Sequence, residues 1–183
     1  MCNRLKNGIK KLGLALVLAM AVTPALATTL VSHEKKIQTG LIYHFVKTTQ
    51  WPASILPEKS SLYICLAGQD PFEGHLNFLD GRQANRREIV VRHLKGYEGA
   101  EKCHALVISE TDVVKRAQLL KDADAKHMLT ISTVDGFVKE GGMIELSRKG
   151  KALALYINTD ALNDAGLKVN KRMLTLADER PVP

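Results

Sequence analysis

The chain has 183 residues, of which 45% are hydrophobic and 25% charged, so its size is that of one domain and its composition excludes wholesale disorder. A formal net charge of +7 would suit a nucleic-acid or membrane partner. Within the first 27 positions, however, lie four of the 26 Lys and Arg residues and none of the 19 Asp and Glu residues. The remaining chain is nearly balanced, and its densest basic cluster is the pair Arg86-Arg87. We interpret these charges as a solvated surface and predict no nucleic-acid partner.

The first 27 residues have the three parts of a secretory signal peptide. A basic head precedes the uncharged apolar run 12–22, and Pro24 is followed by the small-residue sequence Ala25-Leu26-Ala27. The apolar run is shorter than the roughly 20 residues that a membrane-spanning helix requires. We therefore predict cleavage between Ala27 and Thr28, export to the periplasm, and a single domain over residues 28–183.

The exported part is predicted to begin with a short leader, residues 28–31, followed by a helix over residues 34–49 with an apolar stripe. Pro52 ends this helix, because proline disfavours the helical conformation of the residue before it. Trp51 is the only tryptophan. A core position is the default interpretation for it, and a binding surface is the alternative.

Strand-like and helix-like segments alternate after Pro52. Strands are predicted at 62–67, 88–94, 105–109 and 128–132. Helices are predicted at 72–79, with Asp70 as its amino-terminal cap, and at 112–121, with Val113, Ala117 and Leu120 facing inward. This alternation indicates an α/β three-layer sandwich, with a mostly parallel central sheet and helices on both faces. Segments 143–147 and 153–157 predict a carboxyl-terminal antiparallel hairpin, followed by helices at 159–164 and 170–177.

Two cysteines, Cys65 and Cys103, remain once the predicted signal peptide is removed. In an oxidising compartment an even, minimal pair favours a disulfide, and a buried pair of free thiols is the alternative. A catalytic pair of Cys103 and His104 is disfavoured, because adjacent residues of a strand point to opposite faces. The spacing of the cysteines and histidines does not fit a zinc site.

Catalytic and cofactor-binding motifs are missing from the sequence. It has no GxSxG, no Walker A and no GxGxxG pattern, and its six histidines are scattered. Gly141-Gly142 is typical of an entry into a strand, and Asp70, Asp135 and Asp160 occupy positions that helix capping explains. We predict that the protein is not an enzyme and needs no cofactor or metal.

Several segments, in order, resemble the YfiR-like family of periplasmic proteins. The resemblance is carried by residues 41–52 (LIYHFVKTTQWP), 62–72 (LYICLAGQDPF), 103–109 (CHALVIS), 128–132 (MLTIS), 141–144 (GGMI), 157–158, 165–167 and 174–177. It implies a repressor that docks on the periplasmic sensory domain of an inner-membrane diguanylate cyclase. Docking would lower cyclic-di-GMP synthesis, exopolysaccharide production and biofilm formation.

The resemblance also bears on the cysteines and on assembly. The resemblance implies that Cys65 and Cys103 occupy the positions of the family's first disulfide, and that redox state modulates the repressor through its disulfides. Some members have a second pair nearer the segment that matches Gly141-Gly142, and this chain has none there. Members tend to form dimers, which implies a homodimer here. The alternative function is a periplasmic small-ligand-binding module that serves another membrane receptor or transporter.

Overall fold

A computed structural model describes residues 25–96, 98–150 and 152–177. The chain divides into two compact units, Met1–His33 and Glu34–Pro183, and the sheet and the sites described below lie in the second. In the part that the structure describes, the helices are α1 (Ala25–Thr48), α2 (Val113–Asp124), α3 (Thr159–Asp164) and α4 (Lys171–Leu174). The strands there are β1 (Leu62–Ala67), β2 (Gln83–Ala84), β3 (Arg87–His93), β4 (Ala105–Ile108), β5 (Leu129–Ser132), β6 (Ile144–Lys149) and β7 (Ala152–Ile157). Short 3₁₀ helices cover His75–Leu79, Ala100–Lys102 and Phe137–Glu140.

The strands form one sheet in the order β2-β3-β1-β4-β5-β6-β7. The five inner strands are parallel, and the edge strands β2 and β7 are antiparallel to their neighbours. The predicted mostly parallel sheet with a carboxyl-terminal hairpin is therefore confirmed.

Alternating residues of β1 supply two separate hydrophobic layers. Leu62, Ile64 and Leu66 join the core that also contains Phe45 of α1 and residues of α3 and α4. Cys65 and Ala67 point to the other face and join a second core with Leu119 and Ala123 of α2. Because successive side chains of a strand face opposite sides, a strand buried on both sides is continuously apolar. Helices on both faces, the three-layer prediction, are confirmed.

Strand β1 is the point at which the order of the sheet reverses. The chain goes from β1 to β3 on one side, and then crosses to β4 on the other. In open α/β sheets such a switch point leaves a crevice outside the carboxyl ends of the strands, where ligands commonly bind. The fold therefore has two functionally distinct edges, the amino edge and the carboxyl edge of the parallel strands.

Two predicted segments differ from the structure near its amino-terminal half. Residues 28–31, expected as a leader, are part of α1, since neither proline nor glycine interrupts residues 25–39. The expected helix 72–79 is instead a turn followed by the 3₁₀ helix His75–Leu79. Asp70 does cap this segment, since its carboxylate accepts hydrogen bonds from the amides of Phe72 at 2.8 Å and Gly74 at 2.7 Å. Gly74, with φ 83°, is left-handed and prevents a continuous α-helix.

Of the residues predicted to face inward from α2, Leu120 is partly buried against the second core, whereas Ala117 is exposed. Val113 is 61% exposed, whereas Arg116, Leu119 and Ala123 are buried. Arg116 can enter the protein because Glu140 accepts from its Nε at 2.5 Å and from its Nη2 at 2.7 Å, and two backbone carbonyls accept from Nη1. This pairing raises the pKa of Arg116 further above its usual value. The last helix, expected over 170–177, is the shorter α4.

Most of the predicted signal peptide lies outside the described residues. Only its last three positions are described, and the predicted cleavage position between Ala27 and Thr28 falls within α1. Cleavage there stays a prediction. Among the residues that the structure describes, no helix combines the length and apolarity needed to cross a membrane.

Candidate functional site

The structure joins Cys65 of β1 to Cys103, which precedes β4, in a disulfide with a Cα–Cα distance of 5.8 Å. Both residues are buried in the core beneath α2, with 0% and 5% exposure. The bridge closes a loop with a sequence separation of 38. Such a loop stabilises the folded state by roughly 4 kcal/mol on the chain-entropy model. Burial shields the sulfur atoms from solvent thiols, so reduction requires local opening.

His104 directly follows the disulfide and is held from two sides. Its Nδ1 accepts a hydrogen bond from the Tyr63 amide at 3.0 Å, and its ring stacks on the Tyr63 ring at 5.9 Å. Arg92 in turn lies over the Tyr63 ring, with its guanidinium carbon 4.3 Å from the ring centroid. Burial, with a smaller contribution from the charge of Arg87, lowers the pKa of His104. The imidazole is therefore neutral near neutral pH, as its acceptor role requires.

Trp51 connects this region to the end of α1. Its indole Nε1 donates to the His104 carbonyl at 3.2 Å, and that carbonyl also accepts from the Leu129 amide at 2.9 Å. The neighbouring Gln50 is fixed by two backbone hydrogen bonds with Lys168, at 2.8 and 3.2 Å. Trp51 packs against the main core but is only partly buried. It therefore serves both as a core residue and as part of a surface.

That surface is a cavity of about 660 Å³ at the amino edge of the sheet, here called the amino-edge cleft. Its volume is in the range of ligand-binding pockets. Leu56 and Trp51 supply apolar surface, and the rest of the wall is polar or charged. The complete lining is Thr49, Gln50, Trp51, Leu56, Glu58, Lys59, Asn85, Arg86 and Arg87.

Three residues at the rim of the cleft have left-handed backbone conformations, namely Lys59 (φ 66°), Asn85 (φ 51°) and Arg86 (φ 65°). Asn85 and Arg86 form the two-residue connection between β2 and β3, since Ala84 pairs with Arg87. Two positive φ values are typical of a type I′ hairpin turn, in which glycine is favoured at the second position. Here an exposed arginine occupies that position, at a cost of about 1 kcal/mol relative to an unstrained residue.

A second cavity, of about 510 Å³, lies at the carboxyl edge near the switch point. It is lined by the ends of β1 and β4 and the first turn of α2, including Gln69, Ser109 and Lys115. The two strand ends are in close contact, because the Ser109 hydroxyl lies within hydrogen-bond distance of the Ala67 and Gln69 carbonyls and can donate its one proton to either. A Cβ atom at Gly68 would lie only 2.8 Å from Ser109 Oγ, so only glycine fits there. Gly68 and Ser109 thus form part of the cavity wall.

The structure joins Cys65 to Cys103, and Trp51 contacts the residue that follows Cys103. Gly142 packs under the Phe137 ring, where a Cβ would collide with it, and so has a packing role. Among the described residues, no group of three His, Cys, Asp or Glu side chains could hold a metal ion.

The cleft was not predicted, because the sequence interpretation assigned Arg86 and Arg87 to a solvated surface. The sequence feature that could have revealed the cleft is the pair Asn85-Arg86, which separates two strand-like residues from a basic strand.

Solved structures show similarity of fold only. A conserved domain protein from Vibrio cholerae O1 biovar El Tor matches with a TM-score of 0.51 and 13% identity, over 78% of this chain and 58% of that one. A domain described as an ABC domain in complex with L-Trp, from Streptococcus pneumoniae, matches with a TM-score of 0.49 and 8% identity, over 79% and 59%. The chain thus spans under two thirds of both structures, and no curated protein matches it significantly.

The family comparison is more informative. The YfiR/HmsC-like family model matches residues 35–178, which include the disulfide, His104, Trp51 and both cavities. This family is periplasmic, regulatory and non-catalytic, and its members act with membrane diguanylate cyclases. The chain belongs to the YfiR/HmsC-like family.

Proposed function

We propose that this protein is a periplasmic repressor that binds the periplasmic sensory domain of an inner-membrane diguanylate cyclase and holds the enzyme inactive. The observation that carries the proposal is the family match over residues 35–178, nearly the whole of the described domain. Repression would lower cyclic-di-GMP and, with it, biofilm formation. The protein acts through its surface and catalyses no reaction.

A repressor of this kind works by shifting a population. A soluble domain that binds one conformation of a receptor more tightly than the other favours the first. Moving the cyclase from 1:99 to 99:1 in favour of the inactive form requires about 10⁴-fold tighter binding to that form. Such a difference in affinity is attainable for an interface with a buried anchor residue and a charged rim.

The disulfide offers a route by which redox state modulates the repressor. Breaking Cys65–Cys103 would release the segment that leads into His104, whose carbonyl holds the Trp51 indole. The amino-edge cleft would then lose one fixed wall. The same disulfide is buried, so this modulation would require an oxidoreductase or a partly opened domain rather than small thiols alone.

Deletion and co-purification test the proposal. Deleting the gene is expected to raise cellular cyclic-di-GMP and biofilm mass, and expressing the exported protein is expected to restore both. The tagged protein should retain a membrane diguanylate cyclase in detergent extracts. Unchanged cyclic-di-GMP on deletion, together with failure to retain a cyclase, would remove the proposal.

A small-ligand-binding module is the second candidate, favoured by the cavity at the carboxyl edge. Its position beside the switch point is the place where open α/β sheets bind ligands, and it contains Lys115 and the Ser109 hydroxyl. Mass spectrometry of protein purified under native conditions should then show a retained metabolite. Lys115→Ala should release it, and an empty protein would count against this candidate.

A further inference from the structure

The amino-edge cleft combines a basic rim with a partly buried aromatic wall. Lys59, Arg86 and Arg87 contribute three positive charges, and Glu58 contributes one negative charge. Among the residues that the structure describes, none of the three cations forms an ion pair. Arg87 is fixed instead by donating to the Leu56 carbonyl at 3.2 Å. The lining of the cleft therefore carries a net positive charge.

The backbone places these cations at the cleft despite a cost in strain. Lys59 and Arg86 both have positive φ values, which a glycine would adopt without penalty. Asn85 secures the turn by donating from its side-chain amide to the Lys47 carbonyl at the end of α1, at 2.7 Å. Strained backbone conformations of this kind cluster at ligand-binding positions. Of the five non-glycine residues with positive φ among those described, three lie at this cleft and two, Glu73 and His127, lie elsewhere.

We infer that the amino-edge cleft binds an acidic peptide segment of the partner protein, with an apolar side chain seated against Trp51 and carboxylates paired with Arg86 and Lys59. This inference rests on the proposed function, since the segment belongs to the periplasmic domain of the regulated cyclase. Charge complementarity selects an acidic partner, and the guanidinium of Arg86 suits two-pronged binding of a carboxylate. Aromatic and arginine residues are the usual anchors of such interfaces.

The single tryptophan makes the cleft directly observable. Because Trp51 is the only one in the chain, tryptophan fluorescence excited at wavelengths that tyrosine does not absorb reports on this site alone. The exported protein would be titrated with acetyl-Glu-Asp-Phe-Asp-Glu-amide, and separately with the charge-inverted acetyl-Lys-Arg-Phe-Arg-Lys-amide. We expect a saturable fluorescence change with the acidic peptide only, weakened by added salt. Equal responses to both peptides, or no response to either, would overturn the inference.

Variants assign the binding to the rim. The double variant Lys59→Glu/Arg86→Glu should bind the acidic peptide about tenfold more weakly, or weaker still, because the charge of the rim is reversed. Lys149→Glu, at an exposed lysine at the end of β6 that lines neither cavity, is the matched control and should bind as the wild type does. Arg86→Gly should raise the melting temperature by relieving strain while weakening binding, which separates binding from folding. Binding that the double variant retains, or that Lys149→Glu loses to the same extent, would contradict the inference.

The result is distinguishable from failure of the proposed function. A protein that represses the cyclase but ignores the acidic peptide, with repression unchanged in the Lys59→Glu/Arg86→Glu variant, would leave the function standing and end this inference. Concentration-dependent self-association that competes with the peptide would assign the cleft to a second copy of this chain, and would likewise contradict it.

Discussion

The Trp51 indole Nε1 donates to the backbone carbonyl of His104, at 3.2 Å. His104 directly follows Cys103, whose sulfur is bonded to Cys65, so a continuous set of contacts joins the buried disulfide to the wall of the amino-edge cleft. A change at the disulfide is thereby expected to alter the surface that we assign to the partner. Because His104 takes part in these contacts, a substitution at this residue is expected to affect the stability of the fold.

Removing the disulfide should destabilise the fold strongly. The double variant Cys65→Ala/Cys103→Ala is expected to lose about 4 kcal/mol of unfolding free energy, because the unfolded chain regains the freedom of the closed loop. Comparing the denaturant unfolding of this variant with that of the oxidised wild type measures the loss. In the wild type the reduction itself should be slow without denaturant, since both cysteines are buried. Rapid reduction of the native protein would contradict the buried position.

The neutral state of His104 should make stability depend on pH. Burial lowers the folded pKa of His104 below its ordinary value of 6.5, so the unfolded state binds the proton first as the pH falls. The unfolding free energy should therefore decrease from about pH 6.5 downward, until the pH reaches the folded pKa. His104→Asn keeps an acceptor for the Tyr63 amide but does not titrate. A smaller loss of stability between neutral and mildly acidic pH in this variant is expected, and an identical loss would refute the assignment.

The two ion pairs of the described residues should differ sharply in value. Arg116→Met removes a buried cation and leaves Glu140 and the carbonyls of Glu110 and Thr111 without their donor. Only Arg116 is buried, whereas the Glu140 side chain is 33% exposed and can be hydrated, so we expect a loss of about 2 kcal/mol, below the roughly 3–5 kcal/mol of a fully buried pair. Arg148→Ala, which breaks the exposed pair with Glu34, is the control and should cost under about 1 kcal/mol. Equal losses of stability in the thermal unfolding of the two variants would show that the Arg116–Glu140 pair contributes no more than the exposed pair.

Relief of strain at the β2–β3 turn should stabilise the protein. Arg86→Gly places the residue that the left-handed conformation favours at the second turn position, and should raise the unfolding free energy by about 1 kcal/mol. Asn85→Gly is the comparison, and is expected to lose stability because it also removes the hydrogen bond to the Lys47 carbonyl. A destabilised Arg86→Gly variant would mean that the arginine supports the fold itself.

Local pattern was sufficient for much of the fold. The buried run LYICLA gave β1 with its observed bounds, and the segments around Gly150 gave the antiparallel hairpin. These elements were predictable because burial on one or both faces dictates their residue types over several consecutive positions. The pairing of Cys65 with Cys103 likewise depends on a count of two cysteines rather than on detailed geometry.

The remaining features depend on contacts between distant residues. The inward position of Arg116 requires Glu140, which is 24 residues away, and an isolated helix pattern favours the apolar Val113 for that face. The amino-edge cleft assembles Trp51, Lys59 and Arg86 from separate connections, which only the strand order brings together. The periodicity of a single segment contains no information about contacts between distant residues. From the sequence alone, the basic pair Arg86-Arg87 therefore indicates an ordinary solvated surface.

The most direct test of the central claim is the rate of cyclic-di-GMP synthesis by a partner cyclase reconstituted in membrane vesicles with its sensory domain facing outward. Adding the purified exported protein to the outside of the vesicles is predicted to lower this rate in a saturable manner, with the Lys59→Glu/Arg86→Glu variant requiring a higher concentration. A rate that stays unchanged at every protein concentration, for each cyclase that co-purifies with the protein, would contradict its role as a repressor.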